Sequence, residues 1–210
     1  MKIVFLLFAT LILFNNNFAN TKKKKWDVKL EKTDSVCSIY KQFYKETEEG
    51  VVFSTVIQAP NLNKNELFPK CIETLALAYK DSKEVIQTKN EDNGTILGKG
   101  TFIRESKGGI IYVYKKCEHV IKIEVKEERC RVSIILNEYY EFAQGSKSGL
   151  KSENTFSIKQ FYPFKTGIES AKDKVQSFLA INFCMEDALG VLKYFEHQIN
   201  KQSNQEEDDW

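Results

Sequence analysis

Two long β-strands joined by a tight turn are the feature of this sequence that most constrains its fold. Residues 110–126 and 129–140 are rich in β-branched and aromatic side chains, and only residues 127–128 separate them. With a two-residue turn, one register gathers six apolar side chains on a single face: Ile121, Ile123, Val125, Cys130, Val132 and Ile134. The same register places Glu124 opposite Arg131 on the other face. We therefore predict an antiparallel hairpin with one buried face.

The register also bears on the cysteines. It places Cys117 opposite Glu138, which argues against a disulfide between Cys117 and Cys130 within the hairpin. The chain contains five cysteines: Cys37, Cys71, Cys117, Cys130 and Cys184. If the protein is exported, disulfides are allowed and the odd count leaves at least one thiol free. The alternative is that most of them are small buried hydrophobic side chains. The sequence does not decide the pairing.

A strand and a capped helix precede the hairpin. Residues 51–59 alternate as a strand that ends at Pro60, and Asn63 with Glu66 three residues later predicts a capping box. The helix is expected to end near Asp81. Pro69 lacks an N–H donor, so the first regular turn is expected to begin there.

A second, shorter hairpin follows the helix. Residues 84–89 and 95–104 read as strands, and residues 90–94 end in Asn-Gly, a strong turn signal. Gly98 and Gly100 lie on one face of the second strand, which predicts either close packing of a helix or a bend there. A turn is expected at residues 106–109.

The remaining segments complete the predicted architecture. Residues 26–49 form either a short helix or an irregular lead-in, and residues 143–157 read as a polar loop. A last helix is expected to begin near Thr166 or Glu169, with an apolar stripe made of Met185, Leu189, Leu192, Phe195 and Ile199. The fold class is therefore α+β: an antiparallel sheet of about five strands with helices on one face, in the order β-α-β-β-β-β-α. The expected divisions are 1–20, 21–49 as lead-in or linker, 50–200 as one domain, and 201–210 as an acidic disordered tail.

The N-terminus carries the compartment signal. Lys2 is followed by an apolar run over residues 3–14, which is too short for a spanning helix and typical of a secretory signal peptide. The expected location is the periplasm or cell envelope, with membrane contact only through this segment. An uncleaved membrane anchor is the alternative. Cleavage before Asn20 would require a small residue at position 17, and Asn17 is not small.

Charge argues against one class of partner. The chain has 31 basic and 29 acidic side chains, for a formal net charge of +2. A dedicated nucleic-acid binder is usually clearly basic on one face. The expected partner is an unknown protein or small ligand of the cell envelope, and no nucleic acid.

Several segments together resemble a known family. Residues 56–60, 63–67, 81–87 and above all Ile-Leu-Gly-Lys-Gly-Thr at 96–101 are similar to domain-of-unknown-function family 4468. That family consists of exported bacterial proteins with a TATA-binding-protein-like (TBP-like) fold. The resemblance implies this fold and an export route. It implies no activity, and it supplies no functional residues.

Cofactor and metal signatures are weak in this sequence. Gly98-Lys99-Gly100 lacks the third glycine of a dinucleotide fingerprint, and the segment continues as a strand instead of opening a helix. The two histidines, His119 and His197, have no metal-ligand spacing around them. We expect no cofactor and no metal.

Two hypotheses about function remain. The alternative function is a thiol-type hydrolase, because Cys117 and His119 are two residues apart and project from one strand face. The competing interpretation of this pair is a strand edge at which Cys117 is partly buried.

The first hypothesis is a non-enzymatic binding or assembly module with an aromatic or apolar patch on the sheet face that helices leave uncovered. Its candidate ligand-binding residues are four tyrosines: Tyr112, Tyr114, Tyr139 and Tyr140. Ordinary core packing is the competing interpretation of these tyrosines.

Overall fold

The structure, a computed structural model, describes residues 25–79, 85–108, 111–145 and 149–203. The elements in chain order are α1 (Lys25–Tyr40), β1 (Tyr44–Thr47), β2 (Gly50–Gln58), α2 (Lys64–Ala78), β3 (Ile86–Asn90), β4 (Thr95–Gly108), β5 (Ile111–Lys126), β6 (Arg129–Gly145), β7 (Lys151–Ser157), a 3-10 helix (Ile158–Gln160) and α3 (Ala171–Ser203). The expected signal segment at 1–20 and most of the expected tail at 201–210 lie outside the described residues.

All strands join one antiparallel sheet in the order β1-β2-β6-β5-β4-β3, with β7 also paired to β6. The sheet has seven strands where about five were predicted. Strand β6 is long enough to hold two neighbours on the same side. Its first half pairs with β2 and its second half pairs with β7. The α+β class with an antiparallel sheet is confirmed.

The predicted register of the long hairpin is confirmed from the turn to residue 121. Val125 pairs with Cys130, Ile123 with Val132 and Ile121 with Ile134. Val120 with Ile135 and His119 with Leu136 keep the same register, and the prediction is wrong only from Glu118 onward. A β-bulge falls between Glu118 and His119 in the pairing, so β6 contains one extra residue and Cys117 faces Tyr139 instead of Glu138.

The start of α2 shows the predicted capping box. Asn63 Oδ1 accepts hydrogen bonds from the N–H groups of Asn65 (2.9 Å) and Glu66 (3.1 Å), and Glu66 Oε2 accepts one from Asn63 N–H (3.0 Å). The helix begins at Lys64, so Pro69 lies inside it and not at its first turn. The last helical residue is Ala78, three residues before the expected end.

The helices cover one face of the sheet, and the core lies between them. Helix α2 packs on β5 and β6, while α3 packs on β2, β4 and β6 and also contacts α1 and α2. All five residues of the predicted apolar stripe of α3 are buried. Residues 171–201 have the length and hydropathy of a membrane span, but their apolar side is the one that packs into this core.

Three polar segments are more regular than predicted. Residues 25–47, in the segment read as a short helix or irregular lead-in, form α1 and the edge strand β1. The predicted polar loop at 143–157 contributes the end of β6 and the whole of β7. Strand β4 continues to Gly108, so residues 106–108 are strand where a turn was predicted.

Candidate functional site on the open face of the sheet

The face of the sheet opposite the helices carries the candidate site. Side chains alternate along a strand, so the buried Cys117, His119 and Ile121 mark the helix-covered face of β5. Tyr112, Tyr114 and the other residues that alternate with these project from the opposite face. We call this opposite side the open face, because no helix in the described part of the chain packs on it.

Four aromatic side chains form what we call the aromatic strip: Tyr112, Tyr114, Tyr140 and Phe142. All four are half-buried. Tyr114 pairs with Phe142 across β5 and β6, and the neighbouring rungs place the other two rings beside them. The ring centroids of Tyr114 and Tyr140 are 6.2 Å apart, and those of Tyr112 and Phe142 are 6.3 Å apart. These are favourable edge-to-face distances, so the strip is a packed surface with its rings in contact.

Charged side chains border the aromatic strip. Lys107 lies 5.9 Å from the Tyr112 ring centroid, and Lys116 lies 5.5 Å from that of Tyr140. Lys116 also forms a 2.6 Å ion pair with Glu118. Desolvation, followed by a hydrogen bond to Glu153, raises the pKa of Tyr140 above its ordinary value. The strip is therefore an apolar centre with a polar rim.

The bulge in β6 determines which of the predicted tyrosines belong to the strip. Without the extra residue, Tyr139 would project from the open face and Tyr140 from the helix-covered face. With it, Tyr139 is only 1% exposed and packs against Phe161 at 5.0 Å and Phe183 at 6.3 Å. Its hydroxyl donates to Glu141. The structure thus brings Tyr112, Tyr114 and Tyr140 together and places Tyr139 in the core, while Phe142 is a strip residue absent from the predicted set.

The Cys117–His119 pair does not form a reactive site. Both side chains are on the helix-covered face, with Cys117 fully buried and His119 only 2% exposed. His119 Nε2 lies 2.8 Å from the hydroxyl of Tyr79, and the ring stacks on Phe102 at 3.9 Å. Burial lowers the pKa of His119 to about 4, opposed by a hydrogen bond with the Cys117 carbonyl. A substrate cannot reach the thiol, so the geometry contradicts the hydrolase hypothesis.

Both glycines of the Gly-Lys-Gly segment allow close packing on the helix-covered face, Gly100 against His119 and Tyr79 and Gly98 against Val85 and Leu75 of α2. An added Cβ on Gly100 would press on His119 Nε2 and lie 2.7 Å from Tyr79 Cε1. One on Gly98 would lie 3.0 Å from the carbonyl oxygen of Val85. Sequence reasoning missed Tyr79, the C-cap residue of α2, as the partner of His119.

Comparison with protein families identifies the central part of the chain. A family model described as "Domain of unknown function (DUF4468) with TBP-like fold" matches residues 53–139. Residues 53–139, somewhat less than half of the chain, match this family model. The resemblance to this family is therefore confirmed. No curated protein matches the chain.

One solved structure supports the fold of this chain, and a second is a weaker match. A DUF4468 family protein from Bacteroides ovatus ATCC 8483 is 15% identical, with a TM-score of 0.52, and the match covers 80% of this chain and 94% of that protein. A TBP-like protein from Parabacteroides distasonis ATCC 8503 is 11% identical, with a TM-score of 0.48, over 72% of this chain and 96% of that protein. At these identities the first match shows a shared fold and nothing about activity.

The aromatic strip crosses the end of the DUF4468 match. Tyr112 and Tyr114 lie inside residues 53–139, whereas Tyr140 and Phe142 follow it directly. At the other end of the same two strands the open face is charged: Glu124 lies 3.2 Å from Lys122 and 3.7 Å from Arg131. The open face is thus divided into an aromatic half and a charged half.

Within residues 25–79, 85–108, 111–145 and 149–203, no three His, Cys, Asp or Glu side chains lie together as possible ligands of a metal ion.

Proposed function

We propose that this chain is a non-enzymatic binding or assembly module of the cell envelope, and that its aromatic strip holds a partner protein. The supporting observation is the aromatic strip itself, which lies on the sheet face away from the helices and has lysines at its border. Tyrosine-rich centres with polar rims are characteristic of protein–protein interfaces, because tyrosine offers a large contact area with few rotatable bonds.

The ring orientations favour a protein over a sugar as the ligand. The Tyr114 and Tyr140 ring planes meet at 69°, and those of Tyr112 and Phe142 meet at 61°. Such rings do not form the flat platform on which a sugar would stack, whereas apolar side chains can pack against tilted rings. The balanced charge of the chain, +2 overall, supports a protein partner in preference to a nucleic acid.

The proposed location rests on the N-terminal sequence. The apolar run over residues 3–14 after Lys2 has the form of a secretory signal, and the family resemblance points to the same route. The partner is therefore expected among proteins of the periplasm or cell envelope.

A comparative pull-down tests the proposal. The tagged full chain would be recovered from the native envelope as the wild type and as the double variant Tyr112→Ser/Tyr114→Ser. Each anchor is expected to contribute about 2 kcal/mol to binding, so losing one alone weakens binding about thirtyfold, and the double variant should bind the partner at least that much more weakly. The matched control, Lys122→Ser/Glu124→Ser, changes two residues of the same strand in the charged half and should retain the partner.

Two results would count against this function. Equal recovery of the partner by both double variants would show that binding does not use the aromatic strip. Loss of the partner only in the Lys122→Ser/Glu124→Ser control would assign binding to the charged half of the open face. Circular dichroism of each variant checks that the fold is intact.

A further inference from the structure

Most of β4 has a free edge. Strand β3 pairs with β4 only from Thr95 to Gly98, whereas β4 continues to Gly108. On its other side β4 pairs with β5 along its whole length. In the part of the chain that the structure describes, no strand pairs with the outer edge of residues 99–108. Such an edge offers its backbone N–H and C=O groups to a further strand.

The groups that point out of this edge follow from the pairing with β5. The N–H of Val125 donates to the carbonyl oxygen of Gly94, the residue before β4 (2.7 Å). Alternate residues of an antiparallel strand bond to the neighbour on each side. The even-numbered residues of β4 therefore bond to β5, and the odd-numbered residues direct their backbone groups outward. Along residues 99–108 the outward residues are Lys99, Thr101, Ile103, Glu105 and Lys107.

A second copy of β4 can pair with this edge in only a few registers. In an antiparallel pair related by a twofold axis, the two open faces match only if one residue lies opposite its own copy on the axis. An axis at Ile103 or earlier would set Gly108 of the second copy at or beyond Gly98, where β3 already lies. Beyond Ser106, too few residues of β4 remain to form a pair.

Charge distinguishes the three remaining registers. An axis at Arg104 sets two guanidinium groups opposite each other, and an axis at Glu105 sets two carboxylates opposite each other. An axis at Ser106 sets Glu105 of each copy opposite Lys107 of the other, and both side chains are exposed. This register also keeps the 2.9 Å hydrogen bond from Arg104 to the Ile103 carbonyl oxygen, because Ile103 lies outside the paired residues 104–108.

We propose that a second copy of this chain pairs with β4 along residues 104–108, with the twofold axis at Ser106. Glu105 of each copy exchanges backbone hydrogen bonds with Lys107 of the other, and their side chains form an ion pair. Both copies use the same edge, so the assembly closes as a dimer. Because the paired stretch is short, the dimer is weak and its population rises with concentration.

The pairing would place the two aromatic strips on one side of a continuous sheet. Glu105 pairs with Tyr114 and Lys107 with Tyr112 across β4 and β5, so these side chains share the open face. The Lys107 ammonium lies 5.9 Å from the Tyr112 ring centroid, which puts each aromatic strip directly beside the interface. The dimer thus presents two strips together, although its formation does not depend on what the strips bind.

Exchanging the charges tests the register. Sedimentation velocity of the full chain from about 1 µM to about 1 mM should show a monomer–dimer equilibrium. Glu105→Lys sets like charges opposite each other at both ends of the pair, and so does Lys107→Glu, so each variant should weaken self-association by about tenfold or more. In an equimolar mixture of the two variants every charge again lies opposite its complement, and the dimer should return.

A cysteine at the proposed axis gives a second readout. Ser106→Cys should form a disulfide-linked dimer in oxidised glutathione, because position 106 lies opposite itself, and the five native cysteines are buried. The matched control is Ser152→Cys on β7, at the opposite edge of this part of the sheet, which should stay monomeric. A wild type that is monomeric throughout the series, no recovery on mixing the charge variants, or crosslinking through position 152 instead of 106 would overturn the proposal. A failed pull-down leaves all these readouts unchanged, so the two proposals fail separately.

Discussion

Acid should destabilise this protein through His119 more than through an ordinary histidine. Burial among Tyr79 and Phe102 lowers the pKa of His119 from 6.5 to about 4 in the folded state. Between those two pH values the unfolded chain binds a proton at this position and the folded chain does not. The free energy of unfolding therefore falls as the pH is lowered through this window and is at its full value above it. At 1.36 kcal/mol per pH unit, the total loss from this one side chain is about 3 kcal/mol.

The assay is urea unfolding of the wild type and of His119→Phe at several pH values from about 7 down to about 4. His119→Phe keeps an aromatic ring against Phe102 but carries no titratable group. Carboxylates contribute to the pH dependence of both proteins, so the difference between the two slopes isolates His119. The control is His197→Gln, which replaces the exposed histidine of α3 and should retain the wild-type slope.

Equal losses of unfolding free energy in the wild type and His119→Phe over this pH range would refute the claim that folded His119 stays neutral there. That result would mean that His119 takes up its proton in the folded state, and so that it is not buried beside Tyr79 as described. A steeper loss in the variant than in the wild type would contradict the sign of the effect.

Further predictions concern local packing and capping. Gly100→Ala should destabilise the protein by about 1–3 kcal/mol, because the added methyl group would press on the His119 and Tyr79 rings. Gly190→Ala, in α3, has no atom within 4 Å of the new Cβ and should instead stabilise by about 0.5–1 kcal/mol, so thermal unfolding midpoints that move in the same direction would refute this contrast. Asn63→Ala removes the acceptor of the capping box and should cost about 1 kcal/mol in chemical unfolding, and an unchanged midpoint would show that the cap contributes nothing.

The sequence allowed prediction of the central strands because each has one buried face, and of the exposed edge strand β3 because the Asn93-Gly94 turn marks its hairpin. Over residues 121–134 the alternation of apolar and polar side chains permits one register, and the structure has that register. The edge strands β1 and β7 are almost entirely exposed, so their sequences carry no alternation to detect. Helix α1 buries only three of its residues and has no clear apolar stripe for the same reason.

Part of the candidate site was predictable from the sequence, and the one extra residue of the β6 bulge explains why the rest was not. The four tyrosines were chosen from composition, and three of them lie on the aromatic strip. The bulge reverses the alternation of β6 before Tyr139, and an inserted residue in a polar stretch leaves no pattern in the sequence. The contact between Tyr139 and Phe183 depends on the same shift and on the approach of two distant elements, and periodicity reports neither.

The claim that the aromatic strip binds a partner protein is tested most directly by site-specific photo-crosslinking in living cells. A photoreactive phenylalanine analogue would replace Tyr114 in the aromatic half of the open face, or Lys122 in the charged half of the same strand. We expect a discrete crosslinked protein of the cell envelope from position 114 and none from position 122. Crosslinking from position 122 alone, or no crosslink from position 114 in folded, exported protein, would contradict it.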